Sequence, residues 1–354
     1  MKMHAFFCMK THLHLFASAT LLFVSSFFSM SAQTAYPTIG RIERIDPELD
    51  HLLDVNSKIE IIAKGFTWSE GPVWVKKENF LLFTDVPENI ILKWSESKGL
   101  ETFLKPAGYT GKEYYSEEPG ANGLIINLKG NLVSCEHGDR RIAEMPIHHP
   151  DQKKTLAHLF EGKKLNSPND LVQHSSGAYY FTDPPYGLPG RGKAEPAKEL
   201  DYQGVYKIDT KGNLSLQSKV MSRPNGLAFN LDESILYVAQ SDPNALIWNA
   251  YPVDKNGNLG EPSVFFDGNA MHKSGLGGSA DGMKIDEKGN IWTTGPGGVL
   301  IINPKGKLLG RIITDNANSN VAFGEDGKTL FITSDMNLLR VKTKTVGHGF
   351  EKRK

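Results

Sequence analysis

The stretch from Pro224 to Asp242, PNGLAF then NLDES then ILYVAQSD, decides the fold, because its plan recurs along the chain. A polar residue opens it, usually followed by a glycine and a short apolar strand. A polar turn reverses the chain, and a second apolar strand follows. The same order begins at Glu70 (SEGPVW), Asn122 (ANGLIIN), Asn169 (PNDLVQ), Asp281 (ADGMKI) and Asn320 (SNVAFG). With Asn225 these six anchors stand 52, 47, 56, 56 and 39 residues apart. The second strands read LLFTD, NLVSCEH, AYYFTD, ILYVAQSD, NIWTTG and LFITSD. Alternation with β-branched and aromatic residues makes these segments strands. No sustained 3.6-residue apolar period occurs after residue 40.

Repeats of this length carrying about four strands each are the mark of propeller blades. The sequence predicts an all-β, six-bladed β-propeller over residues 58–346. Third and fourth strands follow in most units, as in GVYKID and LSLQSKV. The sixth unit stops after LLRVKT, one strand short. The segment KIEIIAKGF from Lys58 precedes the first anchor as fourth strands precede the others. It is expected to close the ring as the outer strand of the last blade, which removes exposed edges. Residues 34–57 read as an N-terminal extension and 347–354 as a tail.

In a blade the first strand lines the central channel and the second runs antiparallel beside it. All six anchors begin first strands, so they converge on one mouth of the channel. Glu70, Asn122, Asn169, Asn225, Asp281 and Asn320 form a ring of oxygen donors with two carboxylates and no thiol, which suits one hard divalent cation. Ca²⁺ is the expected ion, with Zn²⁺, Mg²⁺ and Mn²⁺ left open; Zn²⁺ more often recruits His or Cys. A single Asn-Gly is an ordinary turn dipeptide. Six polar anchors at one repeat position are harder to assign to turns.

A second ring follows at the ends of the second strands: Asp85, His137, Asp183, Asp242, Gly295 and Asp335. An Asp at a strand end often only bonds nearby turn amides. His137 is the near-neutral titrating group of that rim and a candidate for proton transfer, with an expected pKa near ~6.5. Cys135 reads as buried and inert. Trp74, Phe83, Tyr180, Phe181, Tyr237 and Trp292 read as packing between blades. Loops 105–121, 184–203 and 267–280 lie near the anchor rim, and loops of this length usually carry function.

Lys+Arg and Asp+Glu balance at 40 each, which gives no electrostatic reason to expect nucleic acid or an anionic membrane as partner. Residues 1–33 join a basic start to the apolar, Ser-rich run LFASATLLFVSSFFSM and a small-residue exit. That is the pattern of a cleaved secretory signal, the alternative being an uncleaved anchor. The expected location is therefore periplasmic or secreted. Loss of Cys8 with the signal leaves Cys135 without a disulfide partner.

SEGPVW, SPNDLV, FTDPPYG, RPNGLAF and ADGMKID resemble the senescence-marker-protein, gluconolactonase and luciferin-regenerating-enzyme family, over roughly residues 60 to 340. The resemblance implies a six-bladed propeller with a central divalent ion that hydrolyses sugar lactones. It implies Glu70, Asn225 and Asp281 as metal ligands, with Asn169 beside the metal and in contact with substrate or water. Asp281 matches the family's proton donor or acceptor, and His137 or Asp170 could share that work. Asn122 and Asp183 are further candidates for substrate contact. The animal members carry an Arg where this chain has Ser167, so their substrate preference does not transfer. The expected reaction is metal-assisted opening of a lactone without an acyl-enzyme, since no G-x-S-x-G elbow is present. An aryl-ester or phosphotriester hydrolase on the same site, or a binding propeller with a structural metal, remain alternatives.

Overall fold

Strand order, not strand length, sets this architecture. The computed structural model describes Met1, Met3 and residues 36–194 and 198–350; the signal-like segment lies outside the described residues apart from Met1 and Met3. Among the described residues the strands form six antiparallel blades. Blade one comprises Ser69–Val75, Phe80–Asp85, Ile90–Ser95 and Gly99–Leu104, and blade two Ala121–Ile126, Leu132–Glu136, Arg141–Met145 and Lys154–Ala157. Blade three comprises Leu171–Gln173, Tyr179–Asp183, Gly204–Ile208 and Leu214–Ser218, and blade four Pro224–Phe229, Ile235–Gln240, Ile247–Pro252 and Ser263–Asp267. Blade five holds Met283–Ile285, Ile291–Gly295, Gly298–Ile302 and Leu308–Ile313, and blade six Asn320–Gly324, Thr329–Ser334 and Asn337–Lys342.

The ring closes as the repeat pattern predicts. Ile59–Lys64 lies antiparallel to Asn337–Lys342, with Ile59 opposite Val341 and Lys64 opposite Asn337, and supplies the outer strand of blade six. The segment read as an N-terminal extension also contains a strand. Arg41–Arg44 pairs with Leu308–Ile313 and makes blade five five-stranded. Leu49, Leu52 and Leu53 follow it into the apolar layer between blades five and six. RIER is too short and too charged to read as a strand by alternation; Ile42 is its one buried residue.

Each blade interface has its own apolar cluster. Phe83 and Trp74 pack between blades six and one, Phe181 between two and three, and Tyr180 between three and four. Tyr237 packs between four and five, and Trp292 between five and six. These aromatics are mortar between blades, as expected. Cys135 is fully buried in the layer between blades two and three.

Removing residues 59–64 should strip Ile59 and Ile62 from two of these layers and bare the backbone edge of Asn337–Lys342. The expected result is aggregation or a melting temperature lower by at least about 10 °C. A soluble deletion that melts like the parent, measured by calorimetry, would show that the ring closes without this strand.

Candidate active site at the channel mouth

The anchor side chains reach the channel because the first strands are irregular where they begin. The pairing register slips between Glu70 and Val73, between Ala121 and Leu124, and between Pro224 and Leu227. Two slips bracket the anchors Asn122 and Asn225 and the third starts at Glu70, and a bulge re-aims the side chains around it. Neighbouring strand starts then touch through glycine. A Cβ on Gly71 would stand 2.0 Å from the Asn122 carbonyl oxygen, and one on Gly226 2.2 Å from that of Asp281. Gly71 also has φ +54°, in the left-handed region. The Gly123 N–H donates to the Asn169 carbonyl and that of Gly282 to Ser319, both at 2.8 Å.

The anchors are deeply enclosed: Glu70, Asn122, Asn169, Asn225 and Asn320 are each no more than 4% exposed. Asp281 is partly open. Asn122 Oδ1, Asn169 Oδ1, Asn225 Oδ1 and Asp281 Oδ1 are buried and have no hydrogen-bond partner. Buried acceptors normally find a donor, so several orphans on one ring call for a ligand.

Two contacts were not apparent from the repeats. Asn320 Nδ2 donates to Glu70 Oε2 at 3.2 Å and to Asp170 Oδ2 at 3.3 Å. Blades six and three face each other across the ring, so this amide bridges the channel. Asp170 stands after Asn169 where Gly71, Gly123, Gly226 and Gly282 follow their anchors. That departure is the signal that could have singled it out.

Burial pushes Glu70 up to about 8, aided by the Asp170 carboxylate and opposed by the Gly71 N–H, Asn320 and Lys284. Burial also holds Asp281 well above the usual carboxylate range, with Glu70, Asp170 and Glu118 adding repulsion. Asp170 is raised by burial too. The acids are thus crowded and desolvated, and a bound cation relieves that crowding. Among the described residues no three His, Cys, Asp or Glu side chains gather to hold a metal by themselves. Any fit depends on the amide oxygens, and the all-oxygen set of carboxylates and orphaned amides suits a hard divalent ion.

The second ring braces the first. Asp85 accepts the N–H groups of Thr67 and Trp68, each at 3.0 Å, and fixes the approach to Glu70. Asp183 Oδ2 accepts the Asn166 N–H at 2.7 Å ahead of Asn169, while its Oδ1 is buried without a partner. Asp242 serves the Ser222 hydroxyl and the Asn244 N–H. His137 occupies the same kind of position, its Nδ1 3.0 Å from the Glu118 carbonyl oxygen. A carbonyl can only accept, so Nδ1 carries the proton and buried Nε2 keeps a bare lone pair.

His137 stands apart from the near-neutral titration that its residue type suggests. Its full burial pushes the imidazole down to about 4, against the support of the Glu118 carbonyl. Ser167 works nearby: its hydroxyl donates to the Pro184 carbonyl at 2.6 Å and accepts the Gly187 N–H at 2.9 Å. Gly187 lies so close that a Cβ there would stand 2.3 Å from His137 Cβ. Ser167 therefore fastens the loop that covers the imidazole. Tyr186 in that loop shares a 2.5 Å hydrogen bond with Ser241, which accepts from Asn225 Nδ2 at 3.3 Å. A cavity of about 420 Å³ opens beside Tyr186.

A six-bladed propeller with an acid-and-amide ring at one mouth defines a class, and sequence comparison names it. The chain belongs to the SMP-30/Gluconolactonase/LRE-like family, whose pattern matches residues 68–336. It is 43% identical over 326 residues to a gluconolactonase of Zymomonas mobilis, covering 88% of each chain. A solved gluconolactonase of Xanthomonas campestris superposes with a TM-score of 0.74 at 29% identity, over 88% of this chain and 99% of that one. A regucalcin of Agrobacterium tumefaciens shares the fold, with a TM-score of 0.62 at 18% identity over 87% and 96%.

Two variants test this geometry. Gly71→Ala should lose about 3 kcal/mol or more, because a methyl cannot share space with the Asn122 carbonyl and φ is positive. A melting curve like that of the parent would show the strand starts are looser than this. His137 binds no proton in the native state until about pH 4, whereas an unfolded His binds one from ~6.5. Unfolding therefore takes up a proton between these values, and stability present above ~6.5 is lost as pH falls to ~4, by roughly 3 kcal/mol. In His137→Gln that part of the pH slope should vanish. An unchanged slope in denaturant titrations would mean the ring is not buried neutral.

Proposed function

We propose that this chain is a lactonase, a carboxylic-ester hydrolase of the gluconolactonase kind that opens a small sugar lactone at the channel mouth. Family membership and 43% identity to a gluconolactonase across 88% of both chains support the reaction class. The observation that carries the reading is the set of orphaned oxygens on Asn122, Asn169, Asn225 and Asp281, gathered on one ring with Glu70. Glu70, Asn169, Asn225 and Asp281 would hold one divalent cation, Ca²⁺ by preference for oxygen ligands. When bound, such an ion supplies Lewis-acid polarisation of the lactone carbonyl.

The chain's own groups account for the proton. Asp281 is partly open, with Oδ1 unengaged. It takes a proton from the attacking water and returns it to the leaving alkoxide. His137 is kept neutral with Nε2 as an acceptor, a group suited to receiving a hydrogen bond from a substrate hydroxyl. Asn122 and Asn169 offer further carbonyl oxygens to the sugar. The export-like residues 1–33 support a setting outside the cytoplasm.

A pH-stat panel of sugar lactones, an aryl ester and a phosphotriester, run with and without chelator, tests the reading. Lactones should be opened fastest, and chelation should abolish turnover until Ca²⁺ is restored. Turnover of the aryl ester or phosphotriester alone would reassign the substrate class. Glu70→Gln should bind Ca²⁺ far more weakly, and added Ca²⁺ should no longer raise its melting temperature. Unchanged Ca²⁺ affinity by calorimetry would remove Glu70 from the site. His137→Gln should raise KM more than it lowers kcat. A fall in kcat of roughly 10²-fold or more with Ca²⁺ binding intact would instead move the proton transfer to His137.

A further inference from the structure

The cavity beside the site has a wall that ester hydrolysis does not require. Its lining includes Arg191, Lys193 and Arg223, with Tyr186 and Glu117. Tyr186 ties this space to the ring through Ser241 and Asn225. Burial raises the Tyr186 hydroxyl, and the Asp281 carboxyl lies near enough to add to that rise, so this lining borders the acid ring. Arg191 is seated by Glu118 at 2.7 Å. The Arg223 guanidinium lies 5.8 Å from the centre of the Tyr186 ring. Asp242 faces Arg223, but its oxygens already accept from the Ser222 hydroxyl at 2.5 Å and the Asn244 N–H at 2.9 Å. Among the described residues, neither Arg223 nor Lys193 forms an ion pair within 4 Å.

We propose that this wall is an anion subsite, which selects lactones carrying an acidic group, carboxylate or phosphate, at the end remote from the ester. The inference rests on the lactonase reading. Guanidinium groups pair with the planar oxygens of carboxylates and phosphates, often two bonds at a time. With Arg191 paired to Glu118, Lys193 and Arg223 against the exposed Glu117 still leave the lining net positive, and a cleft lined mainly by one sign concentrates its field on a ligand. With the ester at the ring, a charged substrate can set its anion against Arg223 and Lys193, whereas a neutral lactone gains nothing from the wall.

Binding and turnover are measured separately, so that the subsite and the lactonase reading can fail independently. Calorimetry with the unreactive open-chain acids gluconate, glucarate and 6-phosphogluconate needs no catalysis. At low salt the acids with an extra anionic group should bind at least about tenfold tighter than gluconate, and about 0.5 M salt should shrink that gap. Arg223→Gln combined with Lys193→Gln, folded by melting curve, should bring the gap to about twofold or less. Preference for 6-phosphogluconate alone identifies the group as phosphate, and preference for glucarate alone as carboxylate. Equal binding of all three acids, or a gap the double variant leaves intact, overturns the subsite whatever the enzyme hydrolyses. In turnover, the ratio of kcat/KM for 6-phosphogluconolactone over gluconolactone should exceed about ten and fall in the same variant. A binding gap without opening of any lactone would retain the anion subsite and overturn the lactonase reading.

Discussion

Everything at the functional end of this molecule depends on how closely six strand starts approach one another. Main chain meets main chain there, with no side chain between Gly71 and Asn122 or between Gly226 and Asp281. That crowding makes the ring small enough for donors on different blades to share one point, and for Asn320 to span from Glu70 to Asp170. Farther from the axis the same blades are held apart by Trp, Tyr and Phe. Small residues inside and large ones outside give each blade the wedge shape that a closed ring requires.

The ring is expensive in the absence of a ligand. Burial raises the pKa of Glu70, Asp170 and Asp281, Asp170 adds repulsion to the other two, and four buried oxygens lack partners. Desolvated acceptors and like charges of this kind oppose folding. The packing between blades carries that burden, since among the described residues no disulfide contributes and Cys135 is free and buried. Functional strain is concentrated at the mouth, and stability is distributed through the apolar layers around it.

Much of this was legible in the sequence because a propeller repeats. Six anchors at one repeat position revealed the blades and the ring, and a missing last strand revealed where Lys58 onward must go. What repeats could not show were contacts between non-equivalent places. The strand Arg41–Arg44 belongs to no repeat, and its short charged run carries no alternation. The Asn320–Asp170 contact joins opposite blades, a relation that spacing along the chain does not encode. Position alone marks the second ring, and position does not say that Asp85 and Asp183 face backbone amides. The charge state of His137 depends on how deeply Gly187 and the Glu118 carbonyl enclose it. Residue type gives no measure of that depth.

The splice in blade six also governs when the molecule can come into being. Its outer strand, Ile59–Lys64, is among the first parts of the domain to leave the ribosome, and its partner, Asn337–Lys342, is among the last. Blades one to four can form from local pairings as the chain emerges, yet none of them can close the circle. Until synthesis is nearly finished, the early strand waits with an unpaired edge, and contacts this distant in sequence form slowly. A chain cut short by even its last thirty or so residues would therefore be an open arc rather than a smaller ring. Completion of the site is in this way a readout of completion of the chain.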